Sequence, residues 1–366
     1  MEKFKKIAMI VVSGLVVFGL SLAALALPDE AASKAERRKL AQVPDLTAEG
    51  VFSGDYMEAL EEYLLDQFPM RDPLRTLKAL TRFRILGQKD NNGVYLVDDG
   101  VYKMEYPLKE DQVLFAAGKI NATAETYLQG SNIYYSIVPD KNYFVAAENG
   151  YPHLDYDKML SIMAENVTSA QYLDIFPLLD VSDYYRTDTH WKQESILDVA
   201  QLLADGMGLG ASLNPEGGYT PHKLEPFYGV YWGQSALPVE PDTLTYLTAA
   251  ATDAASMTSA EFQGESPVYT VDKFEGMDGY DVFCAGAQAI LTLESPNAKT
   301  DKELIIFRDS YGSAVAPLFL EGYSKVTLID LRYVNSTLLP NYVNFSGQDV
   351  LFLYSTSLLN SGMLLK

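Results

Sequence analysis

Short apolar runs of strand length alternate with helix-length amphipathic patterns through most of the chain, and this alternation limits the fold more than any other feature. Asn132 to Val138 reads as a buried, aromatic-rich strand ended by Pro139-Asp140. Glu303 to Phe307, Lys325 to Ile329 and Val350 to Tyr354 are further buried strands, and Ile175–Leu179, Tyr280–Phe283 and Ala289–Leu293 read as additional ones. Helices are expected over 110–129, 155–167, 191–206 and 311–321; in the third, Ile196, Val199, Ala200 and Leu203 share one face. Nearer the N-terminus, Asp55 and Glu58 open a helix that Pro69 ends, and Asp72-Pro73 starts another that Gly87 stops. Val94–Val97, Asp98-Asp99-Gly100 and Val101-Tyr102 form a hairpin pattern. Residues 207–262 read as a loop-rich insertion: 207–245 are rich in Gly, Pro and aromatics, and 248–262 is small and polar, either helix or linker. Strand–helix alternation in both halves implies an α/β fold with a mainly parallel sheet.

Ahead of this pattern, Lys3, Lys5 and Lys6 precede an uncharged run of 21 residues from Ile7 to Leu27. As a helix it spans about 30 Å, enough for a bilayer core. A cleaved signal has a shorter apolar region of roughly 7–15 residues. We therefore read residues 1–27 as an uncleaved anchor, with Ala24-Leu25-Ala26 as the cleavage site of the alternative, a secreted protein. Residues 28–52 then form a polar juxtamembrane linker, and 53–366 one domain outside the cytoplasm.

Asp and Glu number 49 against 28 Lys and Arg, a net charge of −21. Such a chain repels phosphate backbones, which argues against nucleic-acid binding. One cysteine, Cys284, excludes an intrachain disulfide and a multi-cysteine metal site. No metal or other cofactor is expected. Of the three histidines, His153 and His222 lie in loop-like contexts as surface residues, which leaves His190 for imidazole chemistry.

Two segments can carry that chemistry. Asp188-Thr189-His190-Trp191 sets an aspartate beside a histidine at the start of a helix. Acyl transfer needs a base for a weak nucleophile, and the base needs an acid to fix its tautomer. The bland alternative is that Asp188 caps the helix. In the second segment, a buried strand runs into Asp309-Ser310-Tyr311-Gly312-Ser313 and a helix follows. Active sites of open α/β sheets gather at such strand ends, and free N–H groups there form half an oxyanion hole. Helix capping is again the alternative, and Ser313, one turn further on, is a less favourable nucleophile. Asp309 is a rival to Asp188 as the partner of His190.

The segment TDTHW with the later DSY resembles the DHHW proteins and the related alginate O-acetyltransferase domains. The resemblance extends to ERRKLAQVPDL at 36–46, YLLDQFPMRD at 63–72, NGVYLVDDGVY at 92–102, IVPDKN at 137–142 and IDLRYVN at 329–335. It implies an SGNH-hydrolase-like three-layer α/β/α domain with Ser310 as nucleophile, His190 as base and Asp188 as orienting acid. It further implies transfer or removal of O-acyl groups on a cell-surface or exported polysaccharide, with a membrane-bound O-acyltransferase partner supplying acetyl groups. One departure matters: Ala287 falls where such proteins often place an asparagine that donates to the oxyanion. Gly286 N–H or the Gln288 side chain could substitute, and Arg308 and Tyr311 are further substrate candidates, although ion pairing is the simpler role for Arg308. A protein without that donor could instead be a weak or inactive carbohydrate-binding scaffold of a polysaccharide modification or export complex. Tyr184, Tyr185, Tyr228, Tyr231 and Trp232 offer stacking surfaces for sugar rings.

Overall fold

A computed structural model describes residues 2–366; Met1, the first residue of the anchor segment, lies outside them. The chain divides into two compact units. One runs from the N-terminus to Asn92 with Gly233–Pro238 added, and the other comprises Gly93–Trp232 and Val239–Lys366.

The first unit begins with the helix Glu2–Ala26, of which Glu2–Ala24 is long and apolar enough to cross a membrane. Segment 28–52, expected as a linker, is tied to the helices Asp55–Asp66 and Arg71–Leu80 that follow. Arg38 Nη1 donates to Asp66 at 2.7 Å, Ala41 N–H donates to the same carboxylate at 2.9 Å, and Glu36 pairs with Arg71 and Arg75. The Arg38 guanidinium draws the Asp66 pKa down to about 2. The first compact unit thus carries this segment and the two helices together, up to Asn92.

The second unit is built on an eight-stranded sheet: β1 (Asn132–Val138), β2 (Gln171–Tyr172), β3 (Ser256–Ser259), β4 (Glu265–Ser266), β5 (Ile290–Glu294), β6 (Glu303–Arg308), β7 (Lys325–Ile329) and β8 (Asp349–Ser355), in the order β4-β3-β5-β7-β6-β8-β1-β2. The run from β7 to β2 is parallel throughout. The run from β4 to β7 is antiparallel, so the sheet is mixed. Parallel pairing needs a crossover of about a dozen residues, and the link between β3 and β4 is too short for one.

Both faces of the sheet are covered. Leu304, Ile306, Leu328, Leu351 and Leu353 pack with Val199 and Leu203 of the helix Leu197–Gly206. Their strand neighbours Ile305, Phe307, Ile329, Val350 and Phe352 pack with Val113, Ala117 and Ile120 of the helix Glu110–Tyr127 and Met159 and Met163 of the helix Tyr156–Asn166. Side chains two apart share a face, so an unbroken apolar strand feeds two cores. Each fully buried Leu or Phe contributes about 1.5–3 kcal/mol.

Three local expectations are corrected. Ile175–Leu179 is not a strand, because Pro177 lies in a 3-10 turn over Phe176–Leu178. Tyr280–Phe283 likewise follows a 3-10 turn, Gly279–Val282. Residues 207–262 are not mainly loop: Thr220–Phe227 and Asp242–Thr248 pair as an antiparallel hairpin, and one helical turn (Ala250–Asp253) leads into β3.

Candidate active site

Strand β6 lies between β7 and β8 in the parallel run and ends at Arg308, so Asp309-Ser310 emerges at its carboxyl end ahead of the short helix Gly312–Val315. Asp309 fixes this exit. Its Oδ1 accepts from Tyr311 N–H at 3.1 Å and its Oδ2 from Ser355 N–H, on β8, at 2.8 Å. Asp309 is thus a turn lock and does not compete for His190.

Ser310 Oγ lies 2.7 Å from His190 Nε2, and His190 Nδ1 lies 2.6 Å from Asp188 Oδ1. Asp188 is fully buried and His190 is 6% exposed, while Ser310 keeps partial access to solvent. The imidazole lies flat on Tyr280, with ring centres 3.8 Å apart and planes 5° apart, and meets Tyr311 edge-on at 5.1 Å. The ring therefore has one orientation, set by a carboxylate at one nitrogen and a hydroxyl at the other.

The loop carrying Asp188 and His190 is closed by the Tyr184–Trp191 bridge and by Tyr185 N–H donating to the His190 carbonyl at 3.1 Å. Asp242 accepts from Thr187 N–H at 2.8 Å and from Thr187 Oγ1 at 2.6 Å. Gly229 N–H donates back to Thr187 Oγ1 at 2.9 Å, and Val230 N–H donates to Asp188 Oδ2 at 2.7 Å. Tyr311 joins the two halves of the site: its hydroxyl donates to the Thr189 carbonyl at 2.8 Å, and its own carbonyl accepts from Trp191 Nε1 at 3.1 Å. Its N–H is held by Asp309, so its part is to brace the loop.

The N–H groups of Gly312 and Ser313 are engaged by the Asp309 and Ser310 carbonyls. Among the described residues, none accepts from the Ser310 N–H. Gly286 cannot serve as the second donor in this conformation, because its N–H donates to the Phe283 carbonyl at 3.2 Å. Cys284, Ala285 and Gly286 all have φ between 53° and 83°, a left-handed run that costs strain at the two non-glycine positions. Arg308, expected as a substrate candidate, is 1% exposed and holds this run instead, donating to the Gly286 carbonyl and to Ser313 Oγ at 3.2 Å each. That contact also buries Ser313 as a rival nucleophile. Gln288 is 8% exposed, and its Oε1 has no partner among the described residues. Burial pushes the Cys284 thiol up to about 12, which removes it as a nucleophile near neutrality.

His153 and His222 bond elsewhere, to the Tyr151 carbonyl at 3.1 Å and to Thr248 Oγ1 at 3.0 Å. Among the described residues no group of three His, Cys, Asp or Glu side chains could hold a metal. Tyr184, Tyr185 and Tyr231 are buried and belong to the core, whereas Tyr228 is 40% exposed with its ring 4.4 Å from that of Trp232. Val230, Gly229, Asp242 and Tyr280 were not identifiable as site residues from the sequence, since each acts through a contact across the fold; Gly229 beside the aromatic cluster at 227–232 was the nearest signal.

Residues 149–329 match the model of a family described as DHHW protein. The stretch contains Asp188, His190 and Ser310, and it bears out the resemblance read from the sequence. A DHHW family protein from Eubacterium siraeum is similar in structure at 20% identity, with 75% of this chain and 95% of that chain covered and a TM-score of 0.61. Bacillus cereus PatB1 with a sulfonyl adduct is similar at 17% identity, over 74% of this chain and 97% of that one, with a TM-score of 0.58. PatB1 in a second structure gives 16% identity, 75% and 100% coverage and a TM-score of 0.59. At these identities the likeness is one of fold. Comparison with curated proteins finds no match.

Proposed function

Starting from residues 149–329 as a DHHW-family region, we propose that this chain transfers or hydrolyses O-acyl groups, acetyl above all, on a cell-surface or exported polysaccharide through an acyl-Ser310 intermediate. The observation that carries this reading is the unbroken relay from Asp188 through His190 to Ser310, with contacts of 2.6 and 2.7 Å. The covered faces of the sheet support an SGNH-hydrolase-like three-layer arrangement, and the N-terminal helix supports a membrane anchor with the folded region outside the cytoplasm.

In this mechanism Ser310 Oγ attacks the acyl carbon while its proton passes to His190 Nε2. Asp188 stabilises the imidazolium and keeps the other proton on Nδ1. The carbonyl oxygen becomes the oxyanion and faces the Ser310 N–H. Collapse breaks the bond to the donor's oxygen, which takes the proton from His190 and leaves acyl-Ser310. In the second half His190 deprotonates a sugar hydroxyl, or water in an esterase, and the steps reverse. A membrane-bound O-acyltransferase partner would deliver the acetyl group across the bilayer. The test is release of nitrophenolate from p-nitrophenyl acetate by the full-length protein in detergent. Turnover that disappears in Ser310→Ala supports the mechanism, and turnover unchanged by that substitution removes it.

A second reading is a non-catalytic carbohydrate-binding scaffold. Ala287 and the engaged Gly286 N–H favour it, because they leave Ser310 N–H without a partner donor. A missing oxyanion donor costs about 2.7–4 kcal/mol of transition-state stabilisation. That slows an enzyme 10²–10³-fold, so slow turnover dependent on Ser310 still favours the first reading.

A further inference from the structure

The one lysine in IVPDKN is buried next to the relay, and the mechanism does not use it. Lys141 is 3% exposed, and its Nζ donates to the carbonyls of Val101 at 2.8 Å, Tyr185 at 2.8 Å, Arg186 at 2.9 Å and Asp188 at 3.0 Å. Three of these carbonyls belong to the loop that carries Asp188 and His190. The fourth is on the strand Gly100–Lys103, where Val101 N–H also donates to the Arg186 carbonyl at 2.9 Å. The rings of Tyr102 and Tyr231 lie 4.6 and 5.5 Å from Nζ. Among the described residues no carboxylate pairs with Lys141 within 4.0 Å. The charge is met by carbonyl dipoles and ring faces, the way a protein holds a bare monovalent cation.

We propose that this carbonyl cage is a monovalent-cation site filled by the protein's own ammonium group, and that Lys141 is the positioning residue for the Asp188–His190 loop. Its effect on rate rests on the acyl-transfer reading, whereas the cage rests on geometry alone. An ammonium group has three N–H donors for four carbonyls, and a neutral amine has two. The cage favours the charged form by its donor count, and the charges of Asp188 and Asp242 also favour it, against burial, which draws the Lys141 pKa down to about 7. Without a cation, the buried carbonyl dipoles face each other with no charge between them, although the Arg186 carbonyl keeps its Val101 N–H donor, and the loop relaxes.

The test is Lys141→Ala in full-length protein, with Lys141→Met as the variant that fills the space without charge. Thermal midpoint and the rate of Ser310 modification by a sulfonyl fluoride are measured in ammonium, potassium and choline chloride at equal ionic strength. Lys141→Ala is expected to lose roughly 100-fold in modification rate, the scale of a small misplacement of catalytic groups. Its rate and midpoint should recover saturably in ammonium or potassium and not in choline, with the wild type and Lys141→Met indifferent to the salt. A folded Lys141→Ala whose midpoint is the same in all three salts overturns the proposal, as does one that reacts at the wild-type rate. Should Lys141→Ala fail to fold in choline, folding in potassium or ammonium supports the cage and failure in every salt contradicts it. If the wild type itself does not react, the acyl-transfer reading falls while the salt dependence of the midpoint still decides the cage.

Discussion

The Val230 backbone N–H donates to Oδ2 of Asp188 at 2.7 Å, while Oδ1 accepts from His190 Nδ1 at 2.6 Å and from His190 N–H at 3.1 Å. Both oxygens of the acid are thus committed, and each of these three groups is a donor. Asp188→Asn would set an amide NH2 against one of these donors, forcing either the wrong imidazole tautomer or loss of the Val230 contact. The expected result is a fall of about 10³–10⁴ in the rate of Ser310 acylation with the fold retained, measured by single-turnover kinetics and circular dichroism.

Gly229 is required for a steric reason. A Cβ there would stand 2.3 Å from the Thr187 carbonyl oxygen and 2.4 Å from Asp188 Cβ and N. Backbone atoms cannot yield as a flexible side chain can. Gly229→Ala should destabilise the second unit by about 1–3 kcal/mol and slow Ser310 modification, because the displaced atoms belong to the loop that carries Asp188 and His190. Denaturant unfolding with modification kinetics on the same sample checks both effects.

Tyr280 supplies the flat surface under His190, yet its hydroxyl is buried and has no partner among the described residues. Tyr280→Phe keeps the stacked ring and removes the unpaired polar atom. It should leave activity near wild type and raise stability by about 1 kcal/mol. Tyr280→Ala removes the surface, should cost about 3–5 kcal/mol, and should abolish detectable turnover. Thermal melts of the pair separate ring from hydroxyl.

Glu105 gives the second unit a stability that falls as the solution becomes less acidic. Burial, aided by the Asp140 charge, raises its pKa from the ordinary 4.5 to about 7. Between those values the folded chain holds a proton that the unfolded chain has released, so stability falls as pH rises through the window. Glu105→Gln should match wild type near pH 4.5 and be more stable above pH 7, with a flatter profile between. Unfolding midpoints taken across that range are the check.

The central strands were legible because they are buried on both faces: β6, β7 and β8 are near-continuous apolar runs that no amphipathic helix matches. The relay residues were legible as types in suggestive places, aspartate and histidine before one helix and serine after one strand. The hairpin at 220–227 and 242–248 was not, because Pro221, His222, Lys223, Glu225 and Pro226 leave most of its first strand exposed and erase the alternation. Pro177 turned an apolar run into a 3-10 turn. The Val230 donor and the carbonyl cage of Lys141 had no sequence signal at all, since both are made with backbone atoms brought together from distant segments.

Every role proposed for the site rests on Ser310 as a nucleophile activated by His190. Intact-mass analysis of the full-length protein after treatment with a sulfonyl fluoride tests this directly, since an activated serine hydroxyl attacks such a reagent in the same way as an acyl donor. The expected result is a single adduct mapped to Ser310, absent from Ser310→Ala and formed at least roughly 100-fold more slowly in His190→Gln. An adduct that persists in Ser310→Ala, or a folded wild type that takes none, would contradict it.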